Sequence, residues 1–215
     1  MKVKIDGIEV DVEKGETILD AARKAGIRIP TLCFFERVYN EGTCRVCIVE
    51  LSNGKVVPSC SYPVSDGLEV YTKTEKIMRD RRIVLELILA GHKIQCHSCP
   101  RKGDCNLWKV CKEAGILGFP VCVECPLHGE DCLLYKGEVC MGPLTMAGCN
   151  AECTREGGKC IGCRGPITRR DVLEESVRKY KEVGIPKELI LEDFGRFFSS
   201  FKDYGKVIKV LEELL

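Results

Sequence analysis

Glutamine is all but missing from this chain and histidine is scarce: Gln95 stands alone, and there are three histidines in 215 residues. Long apolar runs are missing too. The longest, Ile83 to Ala90, is broken by Glu86 and falls far short of the ~20 residues that a helix needs to cross a bilayer, which argues against membrane insertion. Neither sign of charge is in excess, with 33 basic against 32 acidic residues. No segment gathers Lys and Arg without acids between them, so nucleic acid is not an expected partner. No signal peptide is apparent, because the first residues already alternate like a strand; a cytoplasmic, reducing compartment is the expectation. A flavin or dinucleotide fingerprint, a Gly-rich phosphate loop and a nucleophile-base motif are all absent, so the chain is not expected to be an enzyme by itself. One glutamine and four asparagines against abundant Lys and Glu suggest a thermophilic source.

Cysteine is what the chain has in plenty, 16 in all. In a reducing compartment that number points to metal ligation over disulfides. The first four read Cys33-x10-Cys44-x2-Cys47-x12-Cys60. Two closely spaced cysteines on a loop can hold one iron while two from other positions complete a 2Fe-2S site. The next set reads His92-x3-Cys96-x2-Cys99-x5-Cys105, a mixed site suited to a 4Fe-4S cluster or to zinc. His97 is the competing imidazole.

The local pattern gives these ligands a setting. Val3 and Ile5, the Asp6-Gly7 turn, and Ile8, Val10 and Val12 predict a β-hairpin with an apolar inner face. Thr17 and Asp20 open a helix with Ile18, Leu19, Ala22 and Ala25 on its apolar side, stopped by Gly26. Asn53-Gly54 joins two further strands, and 68–71 closes the small sheet. Thr74 caps a helix reaching about Ala90, with Ile77, Val84, Leu87 and Ile88 as its apolar side and Gly91 as its stop. Arg45, between Cys44 and Cys47, either offsets the charge of a thiolate-bound cluster or is a plain surface residue. Trp108 and Leu107 either cover the second cluster or serve as core. Cys111 is a buried free thiol.

Cys33 to Cys60 followed by His92, Cys96, Cys99 and Cys105 resembles the N-terminal part of two related families, the large iron-sulfur subunit of respiratory complex I and the iron-only hydrogenases. The resemblance covers about residues 1 to 118. It implies a β-grasp ferredoxin-like domain with one 2Fe-2S cluster, then a 4Fe-4S cluster with His92 as a ligand in preference to His97, which is left as an exposed neighbour. The families' further Cys-x2-Cys-x2-Cys-x3-Cys runs and the hydrogenase catalytic domain have no match here, so hydrogen chemistry is not expected of this chain.

Eight more cysteines follow as Cys122-x2-Cys125-x6-Cys132-x7-Cys140-x8-Cys149-x3-Cys153-x6-Cys160-x2-Cys163. So dense a run leaves little apolar sequence for a core of its own, and bound metals are expected to hold the fold. Eight thiolates make two four-ligand sites, either 4Fe-4S clusters or zinc. Cys140-Met-Gly-Pro-Leu-Thr-Met-Ala-Gly-Cys149 and Cys160-Ile-Gly-Cys-Arg-Gly-Pro166 resemble the C-terminal segment of nickel-iron hydrogenase small subunits of the sulfhydrogenase and coenzyme-F420-linked types. That resemblance implies two 4Fe-4S clusters that relay electrons. It leaves open which four cysteines share a cluster.

After residue 167 cysteine disappears and helical periodicity returns: Val172, Leu173, Val177 and Tyr180 mark one helix ended by Gly184, Pro186 starts a second, and Val207, Val210, Leu211 and Leu214 mark a third. Phe194, Phe197, Phe198 and Phe201 either cover the cluster region as core or form a docking surface. The expected organisation is α+β: 1–73 a β-grasp 2Fe-2S domain, 74–118 a His-ligated 4Fe-4S domain, 119–166 a loop-rich region with two 4Fe-4S clusters, and 167–215 a helical tail. One 2Fe-2S and three 4Fe-4S clusters describe an electron relay. The resemblance implies a hetero-oligomer in which a flavoprotein subunit using NAD(P)H stands at one end. At the other stands a catalytic subunit of formate dehydrogenase, aldehyde oxidoreductase or hydrogenase type, and a flavin-based bifurcating complex fits the same pattern. The competing readings are a zinc-stabilised redox-sensing adaptor and a free ferredoxin-like carrier.

Overall fold

A computed structural model describes residues 1–36, 38 and 40–215. The chain divides into two compact units, Met1–His92 and Lys93–Leu215. Together they form a mixed α+β protein, with one five-stranded sheet and seven α-helices among the described residues. No helix among these residues is long and apolar enough to cross a membrane.

The first unit is built on strands β1 (Lys2–Ile5), β2 (Ile8–Asp11), β3 (Ile48–Leu51), β4 (Val56–Pro58) and β5 (Glu69–Tyr71), in the order β2-β1-β5-β3-β4. β1 runs antiparallel to β2 and parallel to β5, and β3 runs antiparallel to both β4 and β5. Helix α1 (Ile18–Lys24) starts at the expected capping box: Thr17 Oγ1 accepts from the Asp20 N–H, and the Asp20 carboxylate accepts from the Thr17 N–H. Ile18, Leu19, Ala21 and Ala22 of α1 are buried with Val3, Ile5, Val49, Leu51, Val57 and Val70 of the sheet. The hairpin's inner face is narrower than its alternation predicts. Val3, Ile5 and Val12 are buried, but Ile8 is 49% exposed because β2 is an edge strand.

Helix α2 (Glu75–Ala90) begins at Thr74 and ends at Gly91, as the sequence predicts, but a different face is buried. The buried stripe is Ile77, Arg81, Leu85 and Leu89, while Leu87 is 69% exposed. Arg81 displaces the apolar pattern because its guanidinium donates to the carbonyls of Val46 at 3.0 Å and Ile48 at 2.9 Å. A buried cation with such partners is tolerated, and these bonds pin α2 to the chain between Cys44 and β3.

The second unit begins with a loop through Cys96 and Cys99 and helix α3 (Asn106–Glu113). A knot of short turns then runs to the brief helix α4 (Glu152–Arg155) and on through residue 169. Segment 144–147 stitches this knot together: Val121 N–H donates to Thr145, Ala147 N–H to Phe119, Met146 N–H to Gly165 and Ile167 N–H to Leu144, all at 2.8–3.0 Å. Helices α5 (Arg170–Glu182), α6 (Lys187–Phe198) and α7 (Tyr204–Leu214) follow where the periodicity places them. The cysteine-rich stretch is therefore not without apolar support. Met141, Leu144 and Ile167 are fully buried, as are Tyr180, Phe194 and Phe198 of the tail helices. Tyr180 Oη donates to the Cys140 carbonyl at 2.6 Å, and Ser176 Oγ donates to that of Pro143 at 2.8 Å. Phe198 lies against Gly162, so the aromatic cluster covers the last cysteine loop as core.

Candidate iron-sulfur centres

The 16 cysteines are all free thiols. In the first unit, the loop after α1 carries Cys33 and Cys44, while Cys47 and Cys60 flank β3 and β4 and are buried. Cys47 Sγ and Cys60 Sγ are 3.3 Å apart. Burial, then Cys47, Cys33 and Cys44, push the Cys60 thiol up to about 12. Burial also raises the Cys33 thiol, with Cys44 and Cys47 adding to it. Burial pushes the Cys44 thiol the same way, but hydrogen bonds from the Val46 N–H, the Cys33 thiol and the backbone of Cys33 and Leu32 outweigh it, and its pKa falls. The thiols of Cys33, Cys44 and Cys60 are thus shifted by burial and by their neighbours, with N–H groups aimed at Cys44, the kind of setting in which a thiolate-bound cluster is held. Arg45 is exposed and adopts a left-handed φ of 56°, which turns the chain between Cys44 and Cys47.

Beyond this unit, Cys96 is buried, and burial followed by Cys105 and Cys99 lifts its thiol to about 12. Cys99 Sγ accepts from the Arg101 N–H and Cys105 Sγ from the Trp108 N–H, each at 3.4 Å, so Cys105 doubles as the cap of α3. His92 is exposed at the end of the first unit. His97 is not the exposed neighbour that the sequence reading expects: it is 6% exposed. Its Nε2 lies 3.0 Å from the Glu175 carbonyl and its Nδ1 2.9 Å from Ser98 Oγ, so both ring nitrogens have protein partners. Burial holds its pKa down at about 4. Cys111 is buried as expected, and burial with nearby Cys105 raises its thiol to about 11.

The carboxylate of Glu175 sits in the same neighbourhood. Burial pushes its pKa up, but donation from Lys93, Gln95 and Arg178 prevails and brings it down to about 2. A lowered carboxylate stabilises the fold above its unfolded pKa near 4.5, and that contribution is lost as pH falls from there towards 2. Lys93 and Arg178 are largely exposed, so solvent screens the effect. Glu175→Gln is expected to lower stability by about 1–2 kcal/mol at pH 7. In urea titrations the deficit should stay constant from pH 8 to 5 and shrink only below about 4.5.

Cys122, Cys125, Cys132, Cys140 and Cys160 line one apolar cavity of about 20 Å³ together with Lys102, Leu134 and Pro143. Burial drives the Cys122 thiol well up, Lys102 counters it, and Cys140 and Cys125 add to it. Burial raises Cys140 as well, with Cys125 and Cys132 among the contributors. A Cβ placed on Gly142 would lie 3.4 Å from Cys122 Sγ and 3.5 Å from Cys140 Sγ, so this glycine leaves open the space that the thiols enclose. Among the described residues, no three histidine, cysteine or carboxylate groups gather in the geometry of a single bound ion. Five thiols are set around this one space. Of the remaining cysteines, Cys149 is half-buried while Cys153 and Cys163 are exposed. Cys160 is pushed to about 11 by burial, with Cys140 and Cys149 contributing, so it borders both groups.

Glu124, between Cys122 and Cys125, is a residue that the spacing did not single out. It is 6% exposed, and its Oε2 accepts the N–H groups of Gly148, Cys149 and Asn150 at 2.9, 3.1 and 2.9 Å. Its Oε1 accepts Trp108 Nε1–H at 3.0 Å. One carboxylate thus ties the helix after Cys105, the Cys122–Cys125 turn and the Cys149 loop, where Asn150 and Ala151 adopt left-handed φ. Trp108 also packs on Phe119, with ring centroids 5.1 Å apart, which makes it a core residue of this junction.

Residues 1–75 match the model of a 2Fe-2S iron-sulfur cluster binding domain, and residues 81–118 match that of the NADH-ubiquinone oxidoreductase-G iron-sulfur binding region. The NADPH-Fe(3+) oxidoreductase subunit alpha of Geobacter sulfurreducens is 41% identical over 116 residues, covering 54% of this chain and 14% of the relative. The NADH-ubiquinone oxidoreductase 75 kDa subunit of Reclinomonas americana is 41% identical over 108 residues, covering 50% and 16%. The NADP-reducing hydrogenase subunit HndD of Solidesulfovibrio fructosivorans is 34% identical over 170 residues, covering 76% of this chain and 26% of the relative, a span that must reach past residue 118. Among solved structures, NAD+-reducing NiFe-hydrogenase in the H2-reduced state aligns with a TM-score of 0.50 and 36% identity, over 54% of this chain and 49% of that one. The chain therefore spans about a quarter or less of these curated relatives. Over residues 1–118 it is homologous to the paired 2Fe-2S and 4Fe-4S iron-sulfur region of NAD(P)H-linked oxidoreductase subunits, the resemblance that its first cysteines carry.

Proposed function

We propose that this chain is the iron-sulfur electron-relay subunit of a multisubunit oxidoreductase and has no catalytic chemistry of its own. Its first unit is a β-grasp ferredoxin domain in which Cys33, Cys44, Cys47 and Cys60 hold a 2Fe-2S cluster. Cys96, Cys99 and Cys105, with His92, hold a 4Fe-4S cluster; the occupation of both His97 nitrogens by protein groups favours His92 as the fourth ligand. Cys122, Cys125, Cys132 and Cys140, four of the five thiols of one cavity, hold a second 4Fe-4S cluster, and the fifth, Cys160, which borders both groups, joins Cys149, Cys153 and Cys163 in a third. The observation that carries the reading is the thiol-lined cavity in the second unit of a chain whose first 118 residues match two iron-sulfur regions.

Clusters bound at these cysteines supply one-electron transfer at potentials set by their surroundings. The protein's own part is to hold the thiolates, exclude water and place charge. Apolar walls from Val121, Leu127, Leu133 and Leu134 keep the Cys122–Cys140 cavity dry. The Arg101 and Trp108 N–H groups donate to the Cys99 and Cys105 sulfurs and orient them. The relatives are named as subunits of NADH-, NADPH- or NADP-linked oxidoreductases, which supports a hetero-oligomer; on our reading an NAD(P)H-using flavoprotein subunit stands at one terminus and a catalytic oxidoreductase subunit at the other.

Metal content of the protein purified without oxygen tests this directly. About 14 irons per chain with little zinc would support one 2Fe-2S and three 4Fe-4S clusters. About six irons and two zincs would overturn the reading for residues 122–163, leaving a zinc-braced adaptor. Cys47→Ser is expected to abolish the 2Fe-2S signal alone in electron paramagnetic resonance, and His92→Ala to alter only one 4Fe-4S signal. Loss of every signal in either variant would contradict independent sites.

A further inference from the structure

Lys102 lies in the loop between Cys99 and Cys105, yet it also lines the cavity walled by the next cysteines along the chain. It is 5% exposed, and its Nζ stands 3.7 Å from Cys132 Sγ. No carboxylate of the described residues forms an ion pair with it, although the chain carries 32 acidic side chains. A buried ammonium without a carboxylate is costly, so the negative charge that compensates it must come from the thiolate site itself. The backbone keeps it there. Lys102 N–H donates to the Cys99 carbonyl at 3.0 Å and Gly103 N–H to the Val123 carbonyl at 2.9 Å. Gly103 has φ +79°, and a Cβ there would stand 3.0 Å from the Cys125 carbonyl oxygen. The loop is thus pressed against the Cys122–Cys125 turn, and its lysine is held facing sulfur.

A cluster with four thiolate ligands is anionic and gains one further negative charge on reduction. A fixed positive charge inside a low-dielectric cavity stabilises the reduced form more than the oxidised one. We infer that Lys102, supplied by the loop of one iron-sulfur site, is the positioning residue that raises the reduction potential of the neighbouring cluster held by Cys122, Cys125, Cys132 and Cys140. The inference rests on the assignment of that cluster under the proposed function.

The two can be tested apart in the full chain purified without oxygen. Iron analysis of Cys132→Ser comes first. If about four irons are lost, the assignment stands; if iron is unchanged, the assignment fails and this inference falls with it. Redox titration followed by electron paramagnetic resonance then compares Lys102→Met, which keeps length and loses charge, with Lys102→Arg, which keeps charge. Lys102→Met should lower the reduced-to-oxidised ratio of a single 4Fe-4S signal at fixed potential by tenfold or more, equivalent to about 59 mV for one electron. Lys102→Arg should hold that ratio within about threefold, which is about 28 mV on the same scale. An unmoved signal in Lys102→Met, or an equal shift of every signal, would overturn the inference. Should Lys102→Met lose the cluster's iron, Lys102→Arg decides: iron and potential retained support the role of the charge, and iron lost refutes it.

Discussion

Gly162→Ala is expected to destabilise the second unit by about 3–5 kcal/mol, the sum of backbone strain and overpacking. Gly162 sits at φ +85° between Cys160 and Cys163, a conformation that side chains with a Cβ rarely adopt. The added methyl would collide with Phe198 Cζ and lie within 2.9 Å of two further ring atoms. Phe198 has no room to yield. It is fully buried, stacked on Phe194 at a centroid distance of 4.6 Å, with Phe194 stacked in turn on Tyr204 at 5.6 Å. Gly157→Ala is the natural control, since φ there is +82° but nothing lies within 4 Å of the added atom. It should cost only about 1 kcal/mol, the strain alone. Urea denaturation of both variants separates the contributions, and Phe198→Leu in the Gly162→Ala background should recover part of the loss. Iron analysis should find about four irons missing in Gly162→Ala, because the loop that carries Cys160 and Cys163 is the one displaced. Equal stability of the two glycine variants would show that α6 does not press on this loop.

Glu124→Gln should cost about 3–4 kcal/mol, although it changes no volume. The carboxylate accepts four N–H bonds, three of them on one oxygen, and Lys112 Nζ stands 3.5 Å from the other. A glutamine has one carbonyl oxygen and an amide that only donates on its NH2 side. Whichever way it is turned, donors face donors, and buried N–H groups of Trp108 or of the Gly148–Asn150 turn are left without an acceptor. That turn holds two consecutive left-handed residues, Asn150 and Ala151, whose strain these bonds offset. The variant should therefore unfold earlier in urea, and its tryptophan emission should shift red, because Trp108 is the only tryptophan. An unchanged midpoint would mean that water or a neighbouring group replaces the acceptor.

The iron-sulfur character of the N-terminal region was legible because thiolate chemistry is local and distinctive. A Cys-x2-Cys pair on a Gly- and Pro-marked loop has few uses in a chain of this composition, and the domain matches over residues 1–75 and 81–118 bear out the N-terminal reading. Helix limits were legible for similar reasons: Thr17 with Asp20, Thr74 and Gly91 act on the residues next to them. The misread positions are those decided at a distance. Histidine side chains are exposed by default, but the Glu175 carbonyl, 78 residues away, gives the His97 ring a buried partner. Arg81 broke the expected stripe of α2 because the carbonyl it serves, that of Val46, is 35 residues upstream.

The sequence by itself determined which residues could act as donors, their order and their spacing, an N-terminal set followed by a later run of eight cysteines, since these follow from residue chemistry and short spacing. Only the tertiary structure decided where the buried charges go. Arg81 meets strand carbonyls, Glu124 gathers the N–H groups of a loop 24–26 residues on, and Lys102 faces the thiols of a neighbouring site. The reason is energetic: a charged side chain is exposed by default, and it enters the interior only where the folded chain brings it opposite groups that replace its hydration.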